Sequence, residues 1–146
     1  MMARLDIEFQ GLGELLDQQT DDLAKEMLDE AVPVLQEEVK KELRKKIKHE
    51  GESELLDSIR HNKAKQAKTG NYIVNVYPTG YSKTKIYHHT KTGRKHKVSN
   101  ALKMIWKEYG IPGHQSPQPF LETATKNAEE KTLEIMQKVY DKRTGV

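Results

Sequence analysis

The sequence predicts an α+β domain: a long kinked N-terminal helix and a long C-terminal helix packed on a small antiparallel β-sheet, with a long basic loop. Three observations predict it. Apolar residues at 12, 15/16, 23, 27/28, 31, 34/35, 39, 43 and 47 recur at the helical period of about 3.6 residues. Tyr72-Ile-Val-Asn-Val-Tyr77 is a β-branched and aromatic run that follows the turn signal Thr69-Gly70-Asn71. Phe120, Leu121, Ala124, Ala128, Ile135, Met136 and Val139 form a second helical stripe. The 146 residues suit one domain spanning 1–146, and 35% hydrophobic against 32% charged residues implies a thin core.

In chain order, Met1–Gln10 alternates weakly through Leu5, Ile7 and Phe9, as a short leading strand would, and Gly11-Leu-Gly13 breaks it. The first helix starts at Leu12 and ends at Gly51. Glu14, Asp17, Asp21 and Asp22 crowd its start, and Lys40, Lys41, Arg44, Lys45, Lys46 and Lys48 its end, an order that suits the helix dipole. Pro33 predicts a kink or short break near Ala31–Val32. Residues 52–59 add a turn or two, with Leu55, Leu56 and Ile59 pointing inward. Residues 59–67 pair with 71–77 as a hairpin whose first strand is a lysine-guarded edge. Residues 82–98 form a long flexible loop or a β-ribbon with its tip at Thr92-Gly93. Ser99 or Asn100 caps a helix through Ala101, Leu102, Ile105, Trp106 and Tyr109, which Gly110 stops. Ser116 or Pro117 opens the last helix, which runs to about Lys142.

Charge is segregated along the chain. Residues 1–57 hold sixteen acidic and eight basic residues, whereas 58–107 hold twelve Lys and Arg and no Asp or Glu. Such a basic surface implies an acidic partner, either nucleic acid or an acidic protein face. The densest part is Lys83, Lys85, Lys91, Arg94, Lys95 and Lys97, with Tyr81 and Tyr87 interleaved. Those residues can track phosphates and stack on bases, but no helix-turn-helix or other reading motif accompanies them. Docking of this partner-binding loop on an acidic protein is therefore the preferred expectation, with non-specific DNA contact as the alternative.

Enzyme chemistry is not expected. The absence of Cys excludes disulfides, a thiolate zinc site and a Cys nucleophile. His88 and His89 are adjacent, so on an extended chain they point to opposite faces and chelate poorly, and His96 brings no HExxH or CxxC pattern with it. No Walker loop, GxGxxG or GxSxG occurs. Glu38 and Glu42 read as a solvated or subunit-facing side of the first helix. No cofactor or metal is expected. No apolar run approaches a membrane span, and no signal-peptide core is present, so the chain reads as soluble and intracellular when made.

Between the last two helices lies a stiff elbow, Trp106–Ala124, with three of the five prolines (Pro112, Pro117, Pro119) and two of the nine glycines (Gly110, Gly113). It also carries Trp106, Tyr109 and Phe120, too apolar for a solvated linker. Here a family resemblance enters. Leu55, Ser58 and Ile59 sit in Ser53-Glu-Leu-Leu-Asp-Ser-Ile59, which resembles a G-x-L-x-x-S-I motif with Ser53 in place of the glycine. Trp106, Glu108, Tyr109 and Gly110, followed by Pro119, Phe120, Leu121 and Ala124, resemble an aromatic, Glu, Phe or Tyr, Gly … P-F-L-x-x-A motif. Together they resemble the tail-component family of tailed bacteriophages typified by gene product ten of Hong-Kong-type lambdoid phages. The resemblance extends from the first helix to the last, with the basic loop 82–98 outside the family pattern. It implies a non-enzymatic neck or tail-completion protein of the virion, made in the host cytoplasm and built as a homo-oligomeric ring at the head–tail junction. Its implied partners are the connector or stopper, the tail terminator and the tail tube. A tail-terminator role and a small nucleic-acid-binding protein are the alternatives.

Overall fold

The computed structural model describes residues 2–7, 17–48, 53–88 and 92–145. The expected start of the first helix at Leu12 and its end at Gly51 lie outside them. The described elements are β1 (Ala3–Ile7), α1 (Asp17–Lys46), α2 (Ser53–Ser58), β2 (Ile59–His61), β3 (Lys65–Gln66), β4 (Tyr72–Pro78), β5 (Tyr81–His88), β6 (Lys95–Ser99), α3 (Asn100–Tyr109) and α4 (Leu121–Thr144). The α+β class and the two long helices are as predicted.

β4 is the central strand because it is the most apolar. Tyr72, Ile73, Val74, Val76 and Pro78 are all buried. β1 pairs with it antiparallel along one side, from Ala3↔Val76 to Ile7↔Tyr72. On the other side β2 pairs Ile59 with Pro78, and β3 pairs Gln66 with Tyr72. The predicted hairpin thus forms as two short pieces. Asn62 bridges the gap between them, donating its N–H to the Asn75 carbonyl and accepting the Asn75 N–H on Oδ1. Arg60, Lys63, Lys65 and Lys68 leave this edge exposed and charged, which opposes edge-to-edge pairing.

One core holds the molecule together. Leu28, Val32, Leu35, Val39 and Leu43 of α1 meet Val74 and Val76 of the sheet, with Leu55, Ile59, Met104, Phe120, Ala124 and Ala128 closing around them. α1 runs unbroken through Pro33, so of the kink or short break expected near Ala31–Val32 the break is absent. Pro33 and Asp29 are both exposed, so the carbonyl that loses its helical donor lies where water can satisfy it.

α1 and α4 lie antiparallel in constant register. Lys131 meets Glu38, Asn127 meets Glu42 and Arg143 meets Glu26. Every step along one helix is answered by an equal step back along the other. Ala124 and Ala128 make the contact face of α4 small, and the close approach they allow corrects the reading of Glu38 and Glu42 as solvated. Glu38 is 6% exposed and Glu42 is 4% exposed. α4 also begins later than Ser116 or Pro117, at Leu121, and ends on the left-handed Gly145.

Of the two forms allowed for residues 82–98, the paired one is present, in place of a long loop. β5 and β6 pair antiparallel at Ile86↔Lys97, Tyr87↔His96 and His88↔Lys95, with an irregularity between Tyr81 and Ile86. Lys91 lies outside the described residues.

Candidate functional site

Two local assemblies carry the sequence-predicted residues. The first joins α2 to β2. Leu55 and Ile59 are buried, and Ser58 Oγ donates to the Leu55 carbonyl at 2.6 Å, closing the end of α2. The Ser58 carbonyl then accepts both the N–H and the hydroxyl of Thr79 at 2.9 Å, which ties α2 to the start of the ribbon. Leu55, Ser58 and Ile59 are thus a corner of the core.

The second is the elbow, built around α3. Ser99 caps α3 by accepting the Leu102 N–H, as predicted. At the other end, Gly110 has φ 76° and ψ −179°, a conformation close to glycine-only. A Cβ there would come within 2.6 Å of the Gln115 carbonyl and 2.7 Å of the Pro117 nitrogen. Glycine is required at this position by conformation and by space. The Trp106 carbonyl accepts the Gly110 N–H at 2.8 Å and the Gln115 side chain at 3.3 Å. Ile111 and Gln115 bridge one another, and the Gln118 N–H returns to the Lys107 carbonyl.

Glu108 is the central polar group of the elbow. Its Oε2 accepts the N–H of Phe120 at 2.9 Å and of Leu121 at 3.3 Å. Phe120 occupies the N-cap position of α4 and offers no capping oxygen, so a carboxylate from another helix supplies it. The preceding residue serves the opposite pole. Lys107 Nζ donates to the Lys46 carbonyl at 3.0 Å, at the C-terminal end of α1. Adjacent residues of α3 therefore place an anion at the positive end of one long helix and a cation at the negative end of the other. Phe120, 1% exposed, plugs the core beneath them, with Leu121 and Ala124 beside it and Pro119 at the surface.

α3 turns its lysine face inward. Lys103, Met104 and Lys107 are buried while Ile105 is 37% and Tyr109 65% exposed. Lys103 reaches Glu54 at 3.7 Å and Lys107 caps α1, so the two lysine stems occupy the inner face. Leu102, Ile105, Trp106 and Tyr109 are left on the outer or flanking side. Beside Tyr109 an open depression of about 560 Å³ is bounded by Ile111, Pro112, His114, Gln115 and Pro117. Lys103 and Lys107 were missed by sequence reasoning. Their only signal is the four-residue spacing that puts both on one face of α3.

The basic residues form a separate surface. The ribbon is anchored at its base, where Ser82 is buried, Glu54 accepts the Lys83 N–H and Val98 is buried. Further out, Arg94, Lys95, His96 and Lys97 are exposed in succession, as is the Lys83 side chain. Lys85 lies in β5, and its side chain is outside the described set. No group of His, Asp and Glu among the described residues is arranged to hold a metal ion. No helix is long and apolar enough to cross a membrane among them.

These features define a small α+β scaffold that presents an apolar face and a basic ribbon from a cross-capped pair of helices. A family model described as "Bacteriophage HK97-gp10, putative tail-component" matches residues 10–94. The chain belongs to this HK97-gp10-like family of phage tail components. Comparison with curated proteins and with solved structures gives no match. The matched residues include the Leu55–Ile59 corner and β5, and stop at Arg94, before β6. The 106–124 elbow lies beyond them.

Proposed function

We propose that this chain is a non-enzymatic structural protein of phage morphogenesis, a neck or tail-completion component that assembles as a ring at the head–tail junction. Family membership supports a role in the tail apparatus. The outward apolar face of α3 is the observation that carries the assembly reading. An amphipathic helix in a chain that acts alone turns its apolar stripe to its own core. Here Ile105 and Tyr109 face solvent beside the elbow depression, as groups that meet another protein do. Copies of the chain and the neighbouring connector, terminator or tube proteins are the partners this face would meet.

The test is a phage lacking the gene, complemented with the wild-type chain or with Ile105→Ser/Tyr109→Ser. The wild type restores joined virions. The double variant, folded and melting close to wild type, leaves filled heads and finished tails apart in electron micrographs. Full restoration by the variant would exclude this face from joining. Tails of irregular length would point instead to a tail terminator. Native mass spectrometry of the chain with its neighbouring virion proteins reads the ring directly, and a species with one copy per complex would count against it.

A further inference from the structure

We infer that the β5–β6 ribbon binds the phosphate backbone of duplex DNA. This surface is separate from α3, and the inference does not depend on the joining role. Lys83, Arg94, Lys95 and Lys97 are exposed, and none pairs with a described carboxylate. The stretch 82–98 contains no Asp or Glu that could neutralise them locally.

The competing partner, the acidic half of a second copy, is in part engaged within the chain. Along α1, Asp21 meets Lys25, Glu26 meets Arg143, Glu38 meets Lys131 and Glu42 meets Lys45, while Asp29 accepts the Ala64 N–H. Lys131 and Arg143, with Lys103 on Glu54, bring three cations from outside residues 1–57 against its sixteen acidic and eight basic residues. The exposed carboxylates left over, among them Glu30, Glu37 and Asp57, are spread over α1 and α2, whereas the ribbon gathers its cations on one strand pair, the complement of a polyanion.

Geometry agrees. A duplex major groove, about 12 Å wide, admits a two-stranded β-ribbon. Lys95 and Lys97 project on the same side of β6 about 6.8 Å apart, near two axial steps of about 3.4 Å along a DNA strand. Tyr81, 65% exposed, stands at the base of the same ribbon. No helix-turn-helix or other reading motif accompanies these cations, so the phosphates, which every sequence presents alike, are the target.

The experiment measures fluorescence anisotropy of a labelled duplex of mixed sequence with the full chain. Four phosphate contacts make affinity fall about 150-fold over a fourfold rise in monovalent salt, for instance from about 25 to about 100 mM. In Arg94→Ala/Lys95→Ala/Lys97→Ala one contact remains and the fall shrinks to about fourfold. A control of equal charge loss on α4, Lys126→Ala/Lys138→Ala/Lys142→Ala, keeps the steep dependence. All changed side chains are exposed, so each variant keeps the wild-type melting temperature. Absence of binding at the lowest salt overturns the inference, and so does equal binding by the ribbon variant and wild type. A ribbon variant that keeps its DNA affinity but fails to join heads to tails assigns the ribbon to an acidic protein instead.

Discussion

Glu108 shows how one side chain can determine the geometry of a helix it does not belong to. Two N–H groups at the start of α4 depend on its carboxylate. Glu108→Ala is expected to destabilise the protein by about 1–2 kcal/mol in denaturant unfolding, the usual cost of a lost N-cap. A loss no larger than at an exposed position such as Glu122 would show that water replaces the carboxylate without penalty. Gly110 is more demanding. Gly110→Ala places a side chain in a conformation that costs about 1–3 kcal/mol and adds overlap with Gln115 and Pro117. It should lower the melting temperature more than Gly70→Ala, whose Cβ meets nothing within 4 Å. The motif reading had both positions, because a Glu–Tyr–Gly run before a proline-rich loop is visible in sequence. Lys107 was not legible, since an isolated lysine gives no sign of the carbonyl it will find.

The α1–α4 pair rests on a narrow seam in which small residues and charged ones share the contact. Lys131 donates a hydrogen bond to Glu38, which holds that carboxyl below its ordinary value of 4.5 against the opposing effect of burial. A depressed folded value stabilises the native state above the unfolded value, and that contribution disappears as pH falls through the folded one. Lys131→Ala should therefore be less stable than wild type at neutral pH, with the gap closing below about pH 4.5. Urea unfolding of both proteins across pH 2–7, taken as a range of about five units, measures it. A gap constant with pH would place the effect in packing by the lysine stem. The second oxygen of Glu38 is buried and has no partner among the described residues, which adds to the sensitivity of this site. Periodicity predicted both helices, and the apolar positions Leu28, Leu35, Val39 and Leu43 lie inside as expected. It did not predict burial of Glu38 and Glu42, because that depends on the alanines of a partner helix more than eighty positions away. The inward face of α3 is not legible in sequence for the same reason. Its orientation is set by Glu54 and by the end of α1, not by its own amphipathicity.

In the whole molecule, Phe120 is fully buried in the core that both long helices, α3 and the sheet share. Phe120→Ala should cost about 3–5 kcal/mol, as truncation of a fully buried ring does. Calorimetry and joining assays should then fail together, whereas Ile105→Ser/Tyr109→Ser should lose joining alone. A stable, joining-competent Phe120→Ala protein would contradict the packing described here. The sheet, the helix order and the basic segment were legible because each has a local pattern. The arrangement of surfaces was not, since it follows from long-range contacts that no single stretch encodes. The neighbouring Lys107 and Glu108 also have a kinetic meaning. Fraying of α1 at its C-terminus and of α4 at its N-terminus both require α3 to release a side chain, so the two ends should open as one unit. Amide hydrogen exchange would then report a shared opening free energy for Leu43–Lys46 and Ala124–Ala128, although the two turns are nearly eighty residues apart in the chain.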